Sequence, residues 1–311
     1  LNLNVNHTIL CAVIIVVFYT IFILFSDVEK FSSQLIKIDV LFVPLIIAVH
    51  VLSLLVCSVR QKVLLDLLDI KLSLRQNILF QFAGYSMSIT PGGIGELIKS
   101  HFLKKIHSKD YTKTIPVVFA EKYYNMLASA LVITVMLFFR NNFEIEVTVA
   151  VIWILLIVAL VIIRSQKVFP MRKIPQVWVL KNVLESVSSF SKTLVTLSEK
   201  KIFIKCFFLG TVAVLADAVA IYLCFLAFNI NYNFIDSTLF VITSLTVGAI
   251  SFLPGGIGVT ELSMTALLVK SGIIFSAALA LTIFIRFMIT WSTVVIGFIA
   301  LRFTMKSKSS T

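Results

Sequence analysis

Charged residues are scarce in this chain. Lysine, arginine, aspartate and glutamate make up 14% of the 311 residues, whereas apolar residues make up 59%. A soluble domain carries roughly a quarter of charged residues, so this balance excludes an ordinary soluble fold. Apolar runs close to the roughly 20 residues needed to cross a bilayer recur along the sequence. The composition therefore predicts a multi-pass protein of the cell membrane.

The apolar runs lack alternation between polar and apolar residues, which excludes a membrane β-barrel and favours helices. Cysteine is also rare: the chain has Cys11, Cys57, Cys206 and Cys224. They lie in or beside apolar segments without metal-ligand spacing, so we predict small apolar fillers. A formal net charge of +12 could suggest nucleic acid. The basic residues lie between the apolar runs, where they orient a membrane protein, so no nucleic-acid partner is expected.

Six apolar runs are long enough to be transmembrane helices. They cover residues 8–25, 39–59, 115–139, 147–163, 202–228 and 275–303. Two amphipathic stretches, 60–76 and 175–201, are predicted to lie on the membrane surface. Two shorter apolar segments, 78–90 and 237–253, each end at a Pro-Gly-Gly sequence. The predicted fold class is all-α, with about six transmembrane helices and two broken segments.

Most lysines and arginines lie in a few gaps between the apolar runs. These gaps are 60–76, 99–113, 164–205 and the C-terminal segment. Cytoplasmic loops are enriched in such residues, so these gaps and both termini are predicted to be cytoplasmic. Every loop obeys this rule only if the two short segments are re-entrant, from opposite faces. That pattern is typical of inverted repeats, here about 39–139 and 202–303. The alternative is that each short segment is an ordinary kinked span.

The sequence Pro-Gly-Gly-Ile-Gly occurs twice. The conformationally special residues of the two copies are Pro91, Gly92, Gly93 and Gly95, and Pro254, Gly255, Gly256 and Gly258. Proline interrupts a helix because it lacks an N–H donor, and glycine adopts backbone angles closed to other residues. A half-helix that restarts near Gly95 or Gly258 would aim free N–H groups at the break, which suits an anion. The alternative is a pair of hinges without a ligand.

Ionisable side chains occupy apolar surroundings at six positions. They are Glu96, Glu121, Lys122, Asp217, Glu261 and Arg286. Charges inside a membrane are costly and usually mark a transport pathway or pair with one another. We predict that these six residues and the two glycine motifs bind the substrate, and that Glu96 pairs with Arg286. The alternative for Glu96 and Glu261 is stabilisation of a helical first turn. His50 is predicted to be a hydrogen-bonded packing residue.

These motifs resemble a known family. Glu96 directly after the first glycine motif, the adjacent Glu121 and Lys122, and Arg286 after the second motif with Glu261 are similar to the flippase-like family. This family is the transmembrane region of lysylphosphatidylglycerol synthases. The resemblance covers nearly the whole chain and implies a single integral-membrane domain over 1–311. The family more often has arginine where Lys122 stands and an acidic residue where Asn125 stands.

The resemblance implies a lipid transporter. A flippase or scramblase would move a phospholipid or polyprenyl-phosphate lipid with a polar head group between leaflets, so phosphate-bearing membrane lipids are the expected partners. The sequence has no Asp-rich metal motif, Ser/His/Asp set or Walker loop, so we expect no enzymatic activity, metal or cofactor. A lipid-modifying synthase or glycosyltransferase that acts with it would be a separate polypeptide. The alternatives are an integral-membrane enzyme acting on a lipid phosphate, or an accessory subunit.

Overall fold

A computed structural model describes residues 28–140, 142–165 and 189–306, whose regular secondary structure is helical. The helices are α1 (Val28–Ile36), α2 (Phe42–Leu67), α3 (Leu74–Tyr85), α4 (Ile98–His107), α5 (Tyr111–Leu137), α6 (Phe143–Ser165), α7 (Lys200–Ala227), α8 (Phe234–Ile250), α9 (Val259–Lys270), α10 (Phe275–Ile285) and α11 (Ser292–Lys306). A 3-10 turn at Ile94–Leu97 precedes α4, and a π-helical turn at Arg286–Trp291 joins α10 to α11. Residues 189–197 are also helical.

Within these ranges, four helices are long and apolar enough to cross a membrane. They are α2, α6, α7 and the continuous helix Phe275–Lys306, which comprises α10, the π-turn and α11. Helix α5 has 27 residues and is therefore as long as the spans, but it carries buried charge at Glu121. The all-helical prediction is confirmed. The predicted span at 8–25 and residues 175–188 of the predicted surface stretch at 175–201 lie outside the described residues.

Helix α2 continues further than the sequence pattern predicts. The predicted surface helix 60–76 is wrong over its first half, because Arg60, Leu64 and Leu65 are buried in the protein rather than at a surface. A new helix, α3, then begins after Ser73. The Ser73 hydroxyl accepts the Gln76 N–H at 3.3 Å, and the Gln76 side chain accepts the Ser73 N–H at 3.4 Å. This capping box satisfies two donors at the start of α3.

The outer faces of the long helices are apolar. On α6, for example, Ile154 is 60% exposed and Ile157 is 57% exposed, and on α7 Phe208 is 66% exposed. A water-soluble surface rarely exposes large apolar side chains over so wide an area. These faces therefore suit contact with lipid tails.

Small residues allow helices to approach each other closely inside the protein. Gly297 on α11 faces the backbone of α3, and a Cβ atom at this glycine would lie 2.2 Å from the Ser86 backbone nitrogen. Small residues at helix crossings are the usual basis of tight packing between membrane helices. This crossing holds α3, which leads into the first glycine motif, against the C-terminal span.

The two broken segments form helical hairpins. Phe80 in the middle of α3 packs on the ring of His107 at the end of α4, with centroids 6.1 Å apart. In the other hairpin, Asp236 near the start of α8 accepts a hydrogen bond from Arg140, and Lys270 at the end of α9 donates to Glu144. Because residues 140 and 144 flank the short α5–α6 connection, α8 begins and α9 ends at the same end of the protein. Each glycine motif therefore lies at the tip of a hairpin.

Candidate functional site

The two glycine motifs share one backbone shape at their first two glycines. The φ angles are +60° at Gly92 and +65° at Gly93, and +60° at Gly255 and +67° at Gly256. This left-handed region strongly favours glycine. Steric crowding also favours glycine at position 93, because a Cβ atom there would lie 2.8 Å from Lys122 Nζ. The helix breaks predicted from the sequence are present. They differ at the third glycine, because Gly95 lies in a 3-10 turn whereas Gly258 has a φ of +87° and caps α9.

The tips of the two hairpins meet. Pro91 and Pro254 form an isolated antiparallel β-bridge. The side chain two residues before each proline packs on the other motif. A Cβ atom on Gly92 would lie 2.8 Å from the Phe252 ring, and one on Gly255 would lie 3.4 Å from the Ile89 side chain. The two sequence-distant motifs thus build one structural element.

Beside the first motif, four charged side chains form a buried cluster. Lys122 Nζ donates a short hydrogen bond to Glu96 Oε1. Lys99 Nζ donates to Glu121 Oε2 at 2.6 Å and to Glu96 Oε2 at 3.4 Å, and also reaches Gln81 Oε1 at 3.0 Å. Lys99, Glu96 and Glu121 are all buried, whereas the Lys122 side chain is 38% exposed. The charges balance within the cluster, and Lys122 is its accessible member.

Beside the second motif, Arg286 is held by three groups of the protein. Its Nε donates to Glu261 Oε1 at 2.7 Å, its Nη2 to the Gly255 carbonyl at 2.7 Å, and its Nη1 to Thr290 Oγ1 at 2.9 Å. Glu261 Oε2 in turn accepts the Gly258 N–H at 2.8 Å. Both ionic side chains are buried. This pair ties the π-turn to the tip of the α8–α9 hairpin.

The predicted pair of Glu96 with Arg286 is wrong. Each carboxylate instead pairs with the cation on the helix that follows its own motif, Glu96 with Lys122 and Glu261 with Arg286. Glu96 lies in the 3-10 turn after its motif and reaches Lys122 on α5, whereas Glu261 lies in the first turn of α9 and reaches Arg286 in the π-turn. The two clusters are therefore equivalent parts of the two halves.

Several amide donors at the breaks have partners inside the protein. The Gly95 N–H donates to Thr90 Oγ1 at 2.6 Å, and the Gly93 N–H donates to the Thr90 carbonyl at 2.7 Å. At the second break, the Gly256 N–H donates to the Leu253 carbonyl at 3.0 Å. With the Gly258 N–H bound to Glu261, these donors stabilise the breaks themselves. Among the cations that the sequence pattern singles out, Lys122 is thus better placed than Arg286 to meet an anion.

A cavity of about 290 Å³ lies among α2, α5, α7 and the π-turn. Its polar lining includes His50, Ser53, Ser88, Asn125, Asp217 and Thr293. Tyr85 and Ser88, shortly before the first motif, and Thr290, the partner of Arg286, also line it. The cavity is connected to the second cluster through Thr290 and to the first through Tyr85, whose ring centroid lies 6.0 Å from Lys99 Nζ. Its volume is close to the lower end of the 300–1,000 Å³ that is typical of ligand pockets.

Asp217 and His50 meet at the wall of this cavity. Asp217 Oδ1 lies 2.8 Å from His50 Nδ1, and His50 Nε2 lies 2.7 Å from Thr293 Oγ1. His50 is buried, whereas the Asp217 side chain is 29% exposed. Asp217 thus lies in the cavity apart from the two glycine-motif clusters, and His50 is hydrogen-bonded as predicted.

Sequence reasoning missed two members of the site. The lysines that follow Lys99 predict that it belongs to a basic loop. In the structure it is buried between two carboxylates. Its spacing of three residues from Glu96 is the signal that could have found it, since such residues share one helix face. The partnership of His50 with Asp217 joins residues 167 positions apart and left no local signal. The cysteines Cys57, Cys206 and Cys224 are free and buried, as predicted, whereas Cys11 lies outside the described residues.

Long apolar helices with apolar outer faces define a multi-pass membrane protein. The chain belongs to the family of the lysylphosphatidylglycerol synthase transmembrane region, whose model matches residues 9–297. It is similar to a UPF0104 membrane protein of Pyrococcus horikoshii, with 23% identity over 300 residues that cover 88% of this chain and 90% of the relative. It is also similar to a UPF0104 membrane protein of Methanocaldococcus jannaschii, with 27% identity over 216 residues, 68% of this chain and 90% of the relative.

Proposed function

We propose that this protein is a flippase or scramblase that moves a phosphate-bearing lipid between the leaflets of the cell membrane. The observation that carries the proposal is the cavity, lined in part by polar side chains, in a bundle with an apolar outer face and joined glycine motifs. A lipid head group needs a polar environment to cross the hydrocarbon layer, because unpaired polar and charged groups are costly there. The acyl or polyprenyl chains can stay in the surrounding lipid.

The proposed topology has six spans, cytoplasmic termini and two re-entrant hairpins in an inverted repeat. The bridge between Pro91 and Pro254 supports it, because two copies related by a two-fold axis in the membrane plane meet antiparallel. The reciprocal contacts of Phe252 with Gly92 and of Ile89 with Gly255 support it as well. The equivalence of the Glu96–Lys122 and Glu261–Arg286 pairs extends the same relationship to the charged clusters.

Lys122 is the proposed phosphate contact. Its ammonium group is partly exposed, and its partner Glu96 is held by Lys99 as well. Lys122 can therefore turn to a phosphate while Glu96 keeps a buried cation beside it. Arg286 is 2% exposed and fully engaged, so its proposed role is to fix the second hairpin tip.

Transport in this proposal involves no covalent chemistry. Energy for net movement would come from an ion gradient or from a separate lipid-modifying synthase or glycosyltransferase that supplies the lipid on one side. Without either source, the protein would equilibrate the lipid between leaflets.

A leaflet assay tests the proposal. The purified full-length chain is reconstituted into liposomes that contain a trace of fluorescent phospholipid or fluorescent polyprenyl phosphate. A membrane-impermeant reductant then bleaches the label in the outer leaflet only. We expect the protein to make inner-leaflet label accessible, so that bleaching exceeds that of protein-free liposomes. Equal bleaching with and without protein, for every phosphate lipid tested, would contradict the proposal.

A further inference from the structure

Three side chains from three different spans form a hydrogen-bonded chain at the cavity wall. Asp217 on α7 lies 2.8 Å from His50 Nδ1 on α2, and His50 Nε2 lies 2.7 Å from Thr293 Oγ1 on α11. The Thr293 hydroxyl also donates to the Ile289 carbonyl at 2.7 Å. The charged clusters at the glycine motifs use none of these groups.

The protons in this chain can be counted. A threonine hydroxyl has a single proton, which can go to the Ile289 carbonyl. In that state His50 Nε2 carries a proton that it donates to Thr293 Oγ1. The contact between His50 Nδ1 and Asp217 Oδ1 needs a further proton, carried by the ring or by the carboxyl group. In this geometry the pair of Asp217 and His50 holds one proton more than a carboxylate with a neutral imidazole, and its net charge is zero.

The same heavy-atom positions also accommodate the pair with one proton fewer. If the Thr293 hydroxyl rotates toward His50 Nε2, it donates to the ring, and His50 Nδ1–H donates to a charged Asp217. Only the Ile289 carbonyl loses a side-chain donor in this state. The net charge of the pair is then −1. A proton can thus enter or leave through rotation of one hydroxyl group, without movement of a helix.

We propose that Asp217 and His50 form a proton-binding site, with the Thr293 hydroxyl as its rotating partner, and that its proton decides whether a lipid phosphate enters the cavity. The second part rests on the proposed transport function. A pair with charge −1 at the cavity wall repels a phosphate, whereas a neutral pair admits it. The partly exposed Asp217 carboxyl is the group through which the proton exchanges with the cavity.

The other charged or titratable groups near the cavity keep one charge in this proposal, and among them Arg60 is a buried cation whose Nε and Nη1 have no hydrogen-bond partner among the described residues. Tyr85 and Cys57 line it as a neutral phenol and a neutral thiol. Arg286 and Glu121 are paired with Glu261 and Lys99. Arg60 lies behind Cys57, with its Nη2 3.9 Å from the Cys57 sulfur. The Asp217–His50 pair is therefore the part of the cavity wall in which one proton changes the net charge.

Nitrogen NMR of ¹⁵N-histidine-labelled protein in lipid nanodiscs tests the proton site without any transport assay. We expect His50 Nε2 to be protonated at low pH, with the further proton on Nδ1 or on Asp217, and only Nδ1 to be protonated at high pH. In Asp217→Asn this two-state change should be lost, whereas Asp236→Asn, which changes a partly buried aspartate paired with Arg140, should retain it. A His50 ring that keeps one protonation state in the wild type, or titrates unchanged in Asp217→Asn, would overturn the site.

The leaflet assay at equal pH on both sides tests the coupling. Because one proton is involved, the translocation rate of a phosphate lipid should fall as pH rises, by up to about tenfold per pH unit. Asp217→Asn should translocate at a pH-independent rate, and Asp236→Asn should behave as the wild type. A wild-type translocation rate that does not change with pH would overturn the coupling. A lack of translocation in every sample would refute the transport function instead, and the NMR result would still decide the proton site.

Discussion

Pro91 and Pro254 lie opposite each other as an antiparallel bridged pair, although 162 residues separate them in the chain. The contact closes one element from the tips of two helical hairpins. It places the buried cluster around Glu96 and the pair of Glu261 and Arg286 on the two sides of one junction. A transport site built from both halves of the protein depends on this junction.

The junction predicts a specific crosslink. Opposite residues in an antiparallel pair have Cα atoms about 4.5–5.5 Å apart, within the range that a disulfide spans. Pro91→Cys with Pro254→Cys, in a chain without other cysteines, should therefore oxidise to an intramolecular disulfide. This disulfide should change the migration of the protein on a non-reducing gel. Pro91→Cys with Lys270→Cys is the control, since Lys270 ends a 12-residue helix that leads away from the tip. A crosslink in the control alone would contradict the geometry.

The pair of Arg286 with Glu261 predicts a large stability effect. Arg286→Gln removes the guanidinium from a fully buried carboxylate, and loss of one partner of a buried pair costs about 3–5 kcal/mol. We expect a clear drop in the unfolding midpoint in a fixed detergent. Adding Glu261→Gln to Arg286→Gln should recover part of the loss. Arg140→Gln, which breaks an exposed pair, should cost at most about 1 kcal/mol. Equal effects at the two arginines would show that burial does not matter here.

Lys122 predicts an effect on transport rather than on folding. A hydrogen bond from a charged donor contributes about 1.5–3 kcal/mol, so Lys122→Gln should slow translocation of a phosphate lipid about tenfold or more. Lys122→Arg keeps the charge and should retain much of the rate. Lys104→Gln is the matched control, because Lys104 is an exposed lysine paired only at 3.7 Å with Asp110. Unchanged translocation by a folded Lys122→Gln protein would remove Lys122 from the substrate site.

The crossing of α3 and α11 predicts that Gly297 is irreplaceable. A methyl group there would overlap the backbone at Ser86, which cannot move without shifting the first hairpin. Gly297→Ala should therefore destabilise the protein by about 1–3 kcal/mol, the usual cost of overpacking, as measured by the unfolding midpoint. Val295→Ala on the outward face of the same helix is the control and should have little effect. A neutral Gly297→Ala would mean that the two helices pack less closely.

Much of the fold follows from local sequence patterns. Apolar run length predicts the helices α6, α7 and α10–α11, and the Pro-Gly-Gly sequences predict both breaks, because each depends on residues close together in the chain. The end of α2 was misplaced for a physical reason. Lys62 and Asp66 make the stretch look amphipathic, but Leu64 and Leu65 are buried by helices that are remote in sequence.

The site was less predictable than the fold. The identity of Glu96, Glu121, Lys122, Glu261 and Arg286 as charged residues in apolar surroundings could be read directly from the sequence. Their pairing could not, because it depends on which helix each short turn faces. The contact between Asp217 and His50 depends on the packing of α2 against α7, which no single-sequence pattern encodes.

The measurement that tests the central claim most directly is head-group translocation by a variant whose cavity is filled. Ala213 on α7 lines the cavity and is buried, whereas Val219 on the same helix is 42% exposed on the outer face. In the leaflet assay, Ala213→Phe should abolish bleaching of inner-leaflet phosphate lipid, and Val219→Phe should leave it at the wild-type rate. Wild-type translocation by a correctly folded Ala213→Phe protein would contradict the claim that the head group passes through this cavity.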